Sequence, residues 1–183
     1  MAVAKWPFRL RGLLVAPPMF FAFICYYGET EGYFVWPLGI GLLLIGVMIR
    51  IWAQQHLHFR LKAPRTLTAT GPFSLVRNPI YIGNILMCLG GIVVSELLWF
   101  VPFTLLYLFG LYSLVVRYEE GHLLMQYGEP YRRYMATVPR WFPRAFHFKN
   151  LGLRNEYLRQ SIVVEMHSVL LLLPYILKEI IEQ

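Results

Sequence analysis

Two adjacent carboxylates, Glu119 and Glu120, are the residues of this sequence with the clearest potential for chemistry. They lie within about one helical turn of the end of an apolar run, beside Arg117. A carboxylate at the end of a membrane-type helix is costly unless it is paired with a cation or serves a function. Two interpretations follow. The carboxylates either lie at headgroup level, one of them bridged to Arg117, or bind a cationic group of a ligand.

A first polar segment, Gly71–Gly83, precedes this pair in the chain and reads GPFSLVRNPIYIG. Asn78 is a favourable N-cap and Pro79 suits a first helical turn, so this pair indicates the start of a helix. The backbone amides of such a start can also hold a carboxylate or a phosphate. Tyr81 adds an aromatic ring on the first turn, and Gly83 lets another group approach closely.

The remaining titratable residues give weaker signals. His56 and His58 would share one side of a strand but not of a helix, and no third ligand lies nearby, so no metal site is predicted. Glu165 and His167, inside the last apolar segment, are either functional residues or side chains that extend to the membrane surface. The two cysteines lie in apolar runs and match no metal-binding spacing, which indicates small buried side chains.

The composition indicates which kind of protein positions these residues. Of the 183 residues, 57% are hydrophobic and only 15% are charged, whereas a soluble domain carries about 25% charged residues. The formal net charge is +7. Because the basic residues flank apolar runs, membrane orientation and anionic headgroups explain them better than nucleic acid does. We expect a single integral membrane domain over residues 1–183.

The apolar residues fall into five segments, so we predict an all-α fold with about five transmembrane helices and short cytoplasmic interfacial helices. The segments are about Leu10–Tyr27, Tyr33–Leu57, Ile80–Val94, Leu97–Val116 and Ser161–Leu177. Several are shorter than the roughly 20 residues that span a bilayer. Pro17-Pro18 should kink the first segment. The connection Ser95-Glu96 is so short that the third and fourth segments must form a tight hairpin.

The second polar segment, from Arg117 to Pro143, is predicted to begin as a helix, because Glu119, Glu120, Leu123, Leu124 and Tyr127 have helical spacing. Gly128 is a helix stop. A second short helix at about Pro130–Thr137 would place Tyr131 and Tyr134 on one face.

Charge placement predicts the orientation in the membrane. All of the 17 basic residues except Lys178 lie on alternate connections or, like Arg11 and Arg50, near the segment ends that face these connections. The positive-inside rule then places the N-terminus and both polar segments in the cytoplasm and the C-terminus outside. A four-span alternative would place the C-terminus inside. In the five-span arrangement the segments at 71–83 and 117–143 meet at one membrane face and form the two walls of one site.

At these residues the sequence resembles the isoprenylcysteine carboxyl methyltransferase and phospholipid methyltransferase superfamily of integral membrane proteins. The resemblance covers about half of the chain, from near Arg50 to Pro143. No one motif is decisive, but the ordered set is specific. It comprises Arg65-Thr66-Leu67-Thr68, GPFSLVRNPIYIG, Glu119-Glu120, Leu123, Tyr127-Gly128, Tyr131, Tyr134 and Val138-Pro139.

The resemblance implies a cytoplasmic site for S-adenosylmethionine, built from the connection before the third span and from the acidic pair. Carried over by position, the cofactor-binding residues would be Arg65, Thr66, Leu67, Thr68, Phe73, Asn78, Pro79, Ile80, Tyr81 and Glu119, with His58 as a further member. Glu119 would accept a hydrogen bond from the cofactor's ammonium group. Backbone amides at the helix start would donate hydrogen bonds to its polar groups. Phe73 and Tyr81 would stack on adenine or shelter the sulfonium.

Two positions depart from the family pattern. Asn78 stands where the family usually has His, so any role that needs a titratable imidazole is lost at this position. Phe73 stands where Tyr is frequent, which removes a hydroxyl group.

The reaction implied by the resemblance is methyl transfer to a lipidic acceptor, with the carboxylate of a prenylcysteine-like substrate as the leading candidate. Arg117 or Arg140 would hold such a carboxylate, and this acceptor needs no base. A phospholipid amine or a thiol would need deprotonation, for which Glu120 is available. We expect a membrane-embedded protein without nucleic-acid or metal partners.

Two other functions stay open from the sequence. One is an NADPH-dependent reductase acting on sterol-like double bonds, which belongs to the wider superfamily. The other is a non-catalytic membrane scaffold that retains the fold.

Overall fold

The structure, a computed structural model, describes residues 6–24, 32–62, 67–144, 152 and 157–170. Within these ranges every regular element is a helix, so the predicted all-α class is confirmed. In chain order the α-helices are α1 (Trp6–Arg9), α2 (Arg11–Leu14), α3 (Ala16–Ile24), α4 (Gly32–Lys62), α5 (Pro79–Val94), α6 (Val101–Tyr127), α7 (Glu129–Thr137) and α8 (Leu158–Leu170). Two 3-10 helices cover Gly71–Ser74 and Leu98–Phe100.

Two helical stretches, Phe34–Leu57 and Leu98–Tyr127, are long and apolar enough to cross a membrane. Helix α5 is also apolar but has only 16 residues. The expected first span, Leu10–Tyr27, contains α2 and α3, and its residues after 24 lie outside the described part. The proline pair lies in the first turn of α3. The expected fifth span begins in α8, and its residues after 170 lie outside the described part. The described residues therefore support two spans, and a total of five stays a prediction.

Helices α4 and α5 run antiparallel and pack through two pairs of glycines. Gly46 faces Gly83, and a Cβ atom added to Gly46 would lie 2.8 Å from the carbonyl oxygen of Gly83. Gly39 faces Gly90 in the same way, with a Cβ on Gly90 placed 2.8 Å from the oxygen of Gly39. Small residues at these positions let two helix backbones approach closely.

The connection between α5 and the next helical stretch is the tight hairpin that the sequence predicts. The amide of Glu96 donates to the carbonyl of Val93 at 2.9 Å, and that of Leu97 donates to Ile92 at 3.2 Å. Glu96 has a φ of 57°, in the left-handed region that is uncommon for residues other than glycine. The turn therefore fixes α5 and α6 as antiparallel neighbours.

Helix α6 continues without a break from its apolar part to Tyr127, so Glu119 and Glu120 lie on the same helix as the span. Gly128, with a φ of 60°, ends this helix, and its amide donates to the carbonyl of Leu124 at 2.9 Å. Helix α7 follows at once and buries Tyr131 and Tyr134. The predicted helix stop and the shared face of the two tyrosines are confirmed.

An ion pair connects α8 to α4. The carboxylate of Glu165 is only 1% exposed and accepts from Arg50 Nε at 2.6 Å and from Arg50 Nη2 at 3.1 Å. The interpretation in which the Glu165 side chain extends to the membrane surface is therefore wrong. The side chain of His167 lies outside the described residues.

Candidate functional site

The two polar segments meet, as the sequence predicts. The amide of Arg77 donates to the carbonyl of Pro139 at 2.9 Å. The hydroxyl of Tyr134 donates to the carbonyl of Phe73 at 2.7 Å. These two bonds attach the segment after α7 and helix α7 itself to the stretch that precedes α5.

Asn78 contributes to the same junction, although not in the way its N-cap position suggests. It is the N-cap residue of α5, but its side chain forms no capping hydrogen bond. Instead its Nδ2 donates to the carbonyl of Arg140 at 3.2 Å. The amide side chain therefore joins the two polar segments, and an imidazole is not needed for that contact.

Glu120 is the charged centre of this junction. It is buried and accepts hydrogen bonds from two nitrogens of Arg140. It also forms an ion pair with Arg77, whose Nη2 lies 3.3 Å from Glu120 Oε1. The hydrogen bond with Glu120 raises the pKa of Arg140 above its ordinary value. Because guanidinium groups from both polar segments engage the Glu120 carboxylate, this residue is better placed to hold the two segments together than to act as the predicted base. Arg140, predicted to bind the acceptor, is engaged in the same network.

A cavity of about 1350 Å³ opens beside this junction, larger than the roughly 300–1,000 Å³ of a typical small-molecule site. Side chains from α1 through α7 contribute to its wall. The predicted site residues that line it are Leu67, Thr68, Phe73, Asn78, Pro79, Ile80, Tyr81, Glu119 and Glu120. Arg117 is exposed on α6 and does not line the cavity. Arg65, Thr66 and the side chain of His58 lie outside the described residues.

Glu119 lies in the cavity wall with its carboxylate held in position. The hydroxyl of Tyr81 donates to Glu119 Oε1 at 2.8 Å. The ring of Tyr81 in turn packs against the ring of Tyr112, with centroids 4.7 Å apart. A fixed carboxylate beside aromatic rings is an arrangement that attracts a cationic ligand group.

Arg77 is a cavity residue that the sequence analysis did not assign to the site. Its side chain is 12% exposed, and its buried Nε has no hydrogen-bond partner among the described residues. A buried donor of this kind is a candidate for contact with a ligand anion. Its position next to Asn78, inside the recognised GPFSLVRNPIYIG motif, was an available signal.

Other cavity residues were also missed. They include Arg11, Arg50, Asn84, Tyr112, Tyr118 and His122. Asn84 and Tyr112 are polar residues within apolar runs, which is a signal that sequence reasoning could have used. Arg11 comes from the N-terminal segment, to which the resemblance to the family does not extend.

The tyrosines of α7 line the cavity as neutral hydrogen-bonding groups. Burial raises the pKa of Tyr131 to about 12. Burial likewise raises the pKa of Tyr134 above its ordinary value. Both phenols therefore keep their protons near neutral pH, and neither is suited to act as a base there.

His56, on α4, connects this helix to the stretch that precedes α5 and to Gly152. Its Nδ1 lies 2.9 Å from Thr70 Oγ1, and its Nε2 lies 3.0 Å from the carbonyl oxygen of Gly152. The carbonyl can only accept a hydrogen bond, so Nε2 carries a proton and donates it to this bond. Gly71 packs on this ring with a φ of 61°, and a Cβ there would lie 2.1 Å from Nε2.

The described residues contain no group of three or more His, Cys, Asp or Glu side chains able to hold a metal ion.

Comparison with known proteins agrees with the resemblance seen in the sequence. The phospholipid methyltransferase family matches residues 35–130. The cobalt-zinc-cadmium resistance protein CzcN of Cupriavidus metallidurans is 31% identical over 122 residues, which are 64% of this chain and 55% of that protein. The nickel-cobalt-cadmium resistance protein NccN of Alcaligenes xylosoxydans xylosoxydans is 27% identical over 113 residues, 62% of this chain and 50% of that protein.

The chain spans about half the length of the curated relatives it matches. No solved structure matches it. The family and the two long apolar helices together indicate a membrane protein with a methyltransferase-like role. The family match extends from α4 to the beginning of α7 and so includes Arg77, Tyr81, Glu119 and Glu120. The chain belongs to the phospholipid methyltransferase family.

Proposed function

We propose that the protein transfers a methyl group from S-adenosylmethionine to a lipidic acceptor at the cytoplasmic face of a membrane. The observation that carries this proposal is the cavity beside the junction of the two polar segments. It combines the Glu119 carboxylate, a buried unpartnered donor on Arg77 and the rings of Tyr81 and Phe73.

The residues present fit the charges of this cofactor. Its ammonium and sulfonium are cationic, and Glu119, positioned by Tyr81, offers a carboxylate beside aromatic rings. Its carboxylate is anionic, and Arg77 offers the unpartnered Nε, with the start of α5 close by in sequence. The positive end of a helix dipole favours an anion at such a position. The cavity volume leaves space for a second molecule beside the cofactor.

When bound, the cofactor supplies an activated methyl group on a sulfonium, and the protein's task is to align the acceptor with it. Glu119 and Tyr81 would hold the cationic end, while Phe73 would cover an apolar face. The junction through Glu120, Arg77 and Arg140 would close the site to water. Orientation of this kind can lower a barrier by about 7–11 kcal/mol.

The cavity wall supports an acceptor that is lipidic. Phe8, Val15, Met19 and Phe20, from the helices that precede α4, contribute an apolar wall. Phe20 is also 64% exposed, so this wall borders the apolar surface of the protein. We propose that the acceptor enters sideways from the membrane and the cofactor from the cytosol.

The leading acceptor remains the carboxylate of a prenylcysteine-like substrate. Arg140 is paired with Glu120 and Arg117 does not line the cavity, so both are weak candidates to hold this carboxylate. Arg11 lines the cavity and is the better candidate. A phospholipid amine or a thiol is the alternative acceptor. His122 favours that alternative, because its imidazole lies exposed in the cavity wall one helical turn after Glu119. Histidine is the side chain that most often serves as a general base.

Transfer of radiolabelled methyl groups into membrane lipids tests the proposal. Membranes containing the protein are incubated with labelled S-adenosylmethionine, and the lipids are extracted with organic solvent. Label in the lipid fraction supports the proposal, and its absence with every acceptor lipid supplied contradicts it. Alkaline hydrolysis then separates the acceptors, because a methyl ester releases volatile methanol and a methylamine does not.

Binding of NADPH distinguishes the reductase alternative. We expect the purified protein in detergent to bind S-adenosylhomocysteine and not NADPH. Binding of NADPH alone would favour the reductase, and binding of neither ligand would favour the scaffold.

The two curated relatives favour a physiological setting that can also be tested. Both are named as resistance proteins, for cobalt, zinc and cadmium in one case and for nickel, cobalt and cadmium in the other. We propose that methylation of a membrane lipid by this protein contributes to growth in these metals. Expression of the protein in a sensitive host should raise tolerance, and expression of Glu119→Gln should not. Equal tolerance with both proteins would contradict a role for methylation.

A further inference from the structure

The cavity has an inner polar wall, formed by Arg50, Asn84 and Tyr112, that the proposed cofactor chemistry does not use. All three residues line the cavity. Tyr112 lies near the middle of the apolar stretch Leu98–Tyr127. Polar side chains at such a position are costly and therefore indicate a function.

A continuous chain of hydrogen bonds orders this wall. The Glu165 carboxylate accepts from Arg50 at 2.6 and 3.1 Å and from Gln54 Nε2 at 3.4 Å. Arg50 Nη1 donates to Asn84 Oδ1. Because Oδ1 is thereby occupied as the acceptor, the Asn84 amide is oriented with Nδ2 toward Tyr112, and it donates to that hydroxyl at 3.0 Å.

This chain ends at a hydroxyl whose proton is left for another molecule. The Tyr112 oxygen accepts from Asn84, and the described residues provide no acceptor for its proton. The Tyr112 side chain is 1% exposed and packs on Tyr81, so its position is fixed. Arg50 and Glu165 cancel each other's charge. The wall therefore suits an uncharged oxygen atom better than a phosphate or carboxylate.

We infer that Tyr112 donates a hydrogen bond to a carbonyl oxygen in the chain of the methyl acceptor. This wall then forms a specificity subsite for an ester- or amide-bearing amphiphile over one with an unbroken hydrocarbon tail. The neighbouring wall residues Met87 and Cys88 are apolar and suit the chain on either side of the carbonyl. Glu165, which anchors the wall, lies outside the residues matched by the family. The inference rests on the proposed function. Within it, the inference favours a lipid acceptor with an acyl ester or amide over a prenylcysteine-like substrate, whose prenyl chain has no carbonyl group.

Two lipids that differ only in this carbonyl provide the test. Radiolabelled 1-monopalmitoylglycerol and its ether analogue 1-O-hexadecylglycerol are bound to the full chain in detergent at equilibrium. We expect the ester to bind about 3- to 10-fold more tightly, which corresponds to one net hydrogen bond. Tyr112→Phe should lower ester affinity to that of the ether and leave ether affinity unchanged.

Tyr107→Phe is the matched control, because it removes another hydroxyl from α6, one that donates to the carbonyl of Leu14 at 2.8 Å. It should retain the ester preference. Equal binding of the two lipids by the wild-type protein, binding of neither lipid, or an ester preference that survives in Tyr112→Phe would overturn the inference. The wild-type comparison needs no variant and decides the question even if Tyr112→Phe does not fold.

S-adenosylhomocysteine binding, measured on the same preparations, separates this inference from the proposed function. If the protein binds the cofactor but shows no ester preference, the role of Tyr112 is overturned and the proposed function is not. Absence of cofactor binding by the wild-type protein overturns the proposed function itself.

Discussion

At the scale of single residues, the adjacent carboxylates have different tasks. Glu119 lies in the cavity wall and accepts from Tyr81. Glu120, the next residue, is buried between Arg77 and Arg140. Glu119 therefore faces the cavity, whereas Glu120 holds two chain segments together.

Glu120→Gln should destabilise the fold. The substitution leaves two partly buried guanidinium groups without their counter-charge, because the Arg77 and Arg140 side chains are 12% and 33% exposed. We expect a loss of about 3 kcal/mol in the free energy of unfolding, measured by thermal denaturation in detergent. Glu129→Gln is the control and should change stability by less than about 1 kcal/mol, since the Glu129 side chain is 56% exposed in its pairs. Equal losses in the two variants would contradict the structural role of Glu120.

The tyrosines of α7 should make stability depend on alkaline pH. Burial raises the pKa of Tyr131 to about 12 in the folded protein, while an unfolded tyrosine ionises near pH 10. This contribution to stability is therefore fully present below about pH 10 and is lost as the pH rises toward the folded value. Tyr131→Phe has no phenol to ionise, so its melting temperature should fall less between about pH 9 and pH 11 than that of the wild-type protein. An identical decline in both would contradict this account.

At the scale of helices, the contact between α4 and α5 depends on glycines. A Cβ atom at Gly46 would lie 2.7 Å from Met87 Cγ and 2.8 Å from the carbonyl oxygen of Gly83. Gly41, on the same helix, has nothing within 4 Å of such an atom. The close approach of the two helices therefore requires a glycine at position 46 but not at position 41.

Gly46→Ala and Gly41→Ala should consequently change stability in opposite directions. The first forces the helices apart and should cost about 1–3 kcal/mol. The second improves helix propensity and should add up to about 1 kcal/mol. Thermal denaturation of both variants in one detergent measures the difference. Destabilisation of the same size in both would show that the glycine pairs do not set the helix contact.

Sequence alone predicted the α5–α6 hairpin, the stop at Gly128 and the tyrosine face of α7, because each depends on a local signal. The partners of Glu120 could not be predicted in this way. Arg117 is nearer in sequence but lies exposed on α6, whereas Arg77 and Arg140 come from segments brought together by the fold. The pair of Arg50 with Glu165 spans 115 residues, and nothing in either local sequence specifies it.

At the scale of the whole molecule, the membrane arrangement is still a prediction beyond the two apolar stretches that are long enough to span. The apolar segments predict five spans, and charge placement predicts that the N-terminus and the site lie in the cytoplasm. A tag after Gln183 should then be labelled by a membrane-impermeant reagent only from outside intact cells. Labelling only after the membrane is opened to the cytoplasm would contradict the five-span arrangement and favour four spans.

The candidate site also depends on the fold as a whole. The sequence identified most cavity residues of the recognised motifs but missed Arg77. The residues identified are Leu67, Thr68, Phe73, Asn78, Pro79, Ile80, Tyr81, Glu119 and Glu120. It did not identify Arg11, Asn84 or Tyr112, because these residues approach the cavity from different helices and no local pattern relates them.

Binding of S-adenosylhomocysteine to the purified protein tests the central claim most directly. Equilibrium dialysis in detergent should give a dissociation constant in the micromolar range for the wild-type protein. Glu119→Gln should weaken binding about 10- to 100-fold, since it removes a charge-assisted hydrogen bond. Glu129→Gln, which changes an exposed carboxylate on α7, should bind as the wild-type protein does. No binding by the wild-type protein, or equal binding by Glu119→Gln, would contradict the assignment of this cavity to the cofactor.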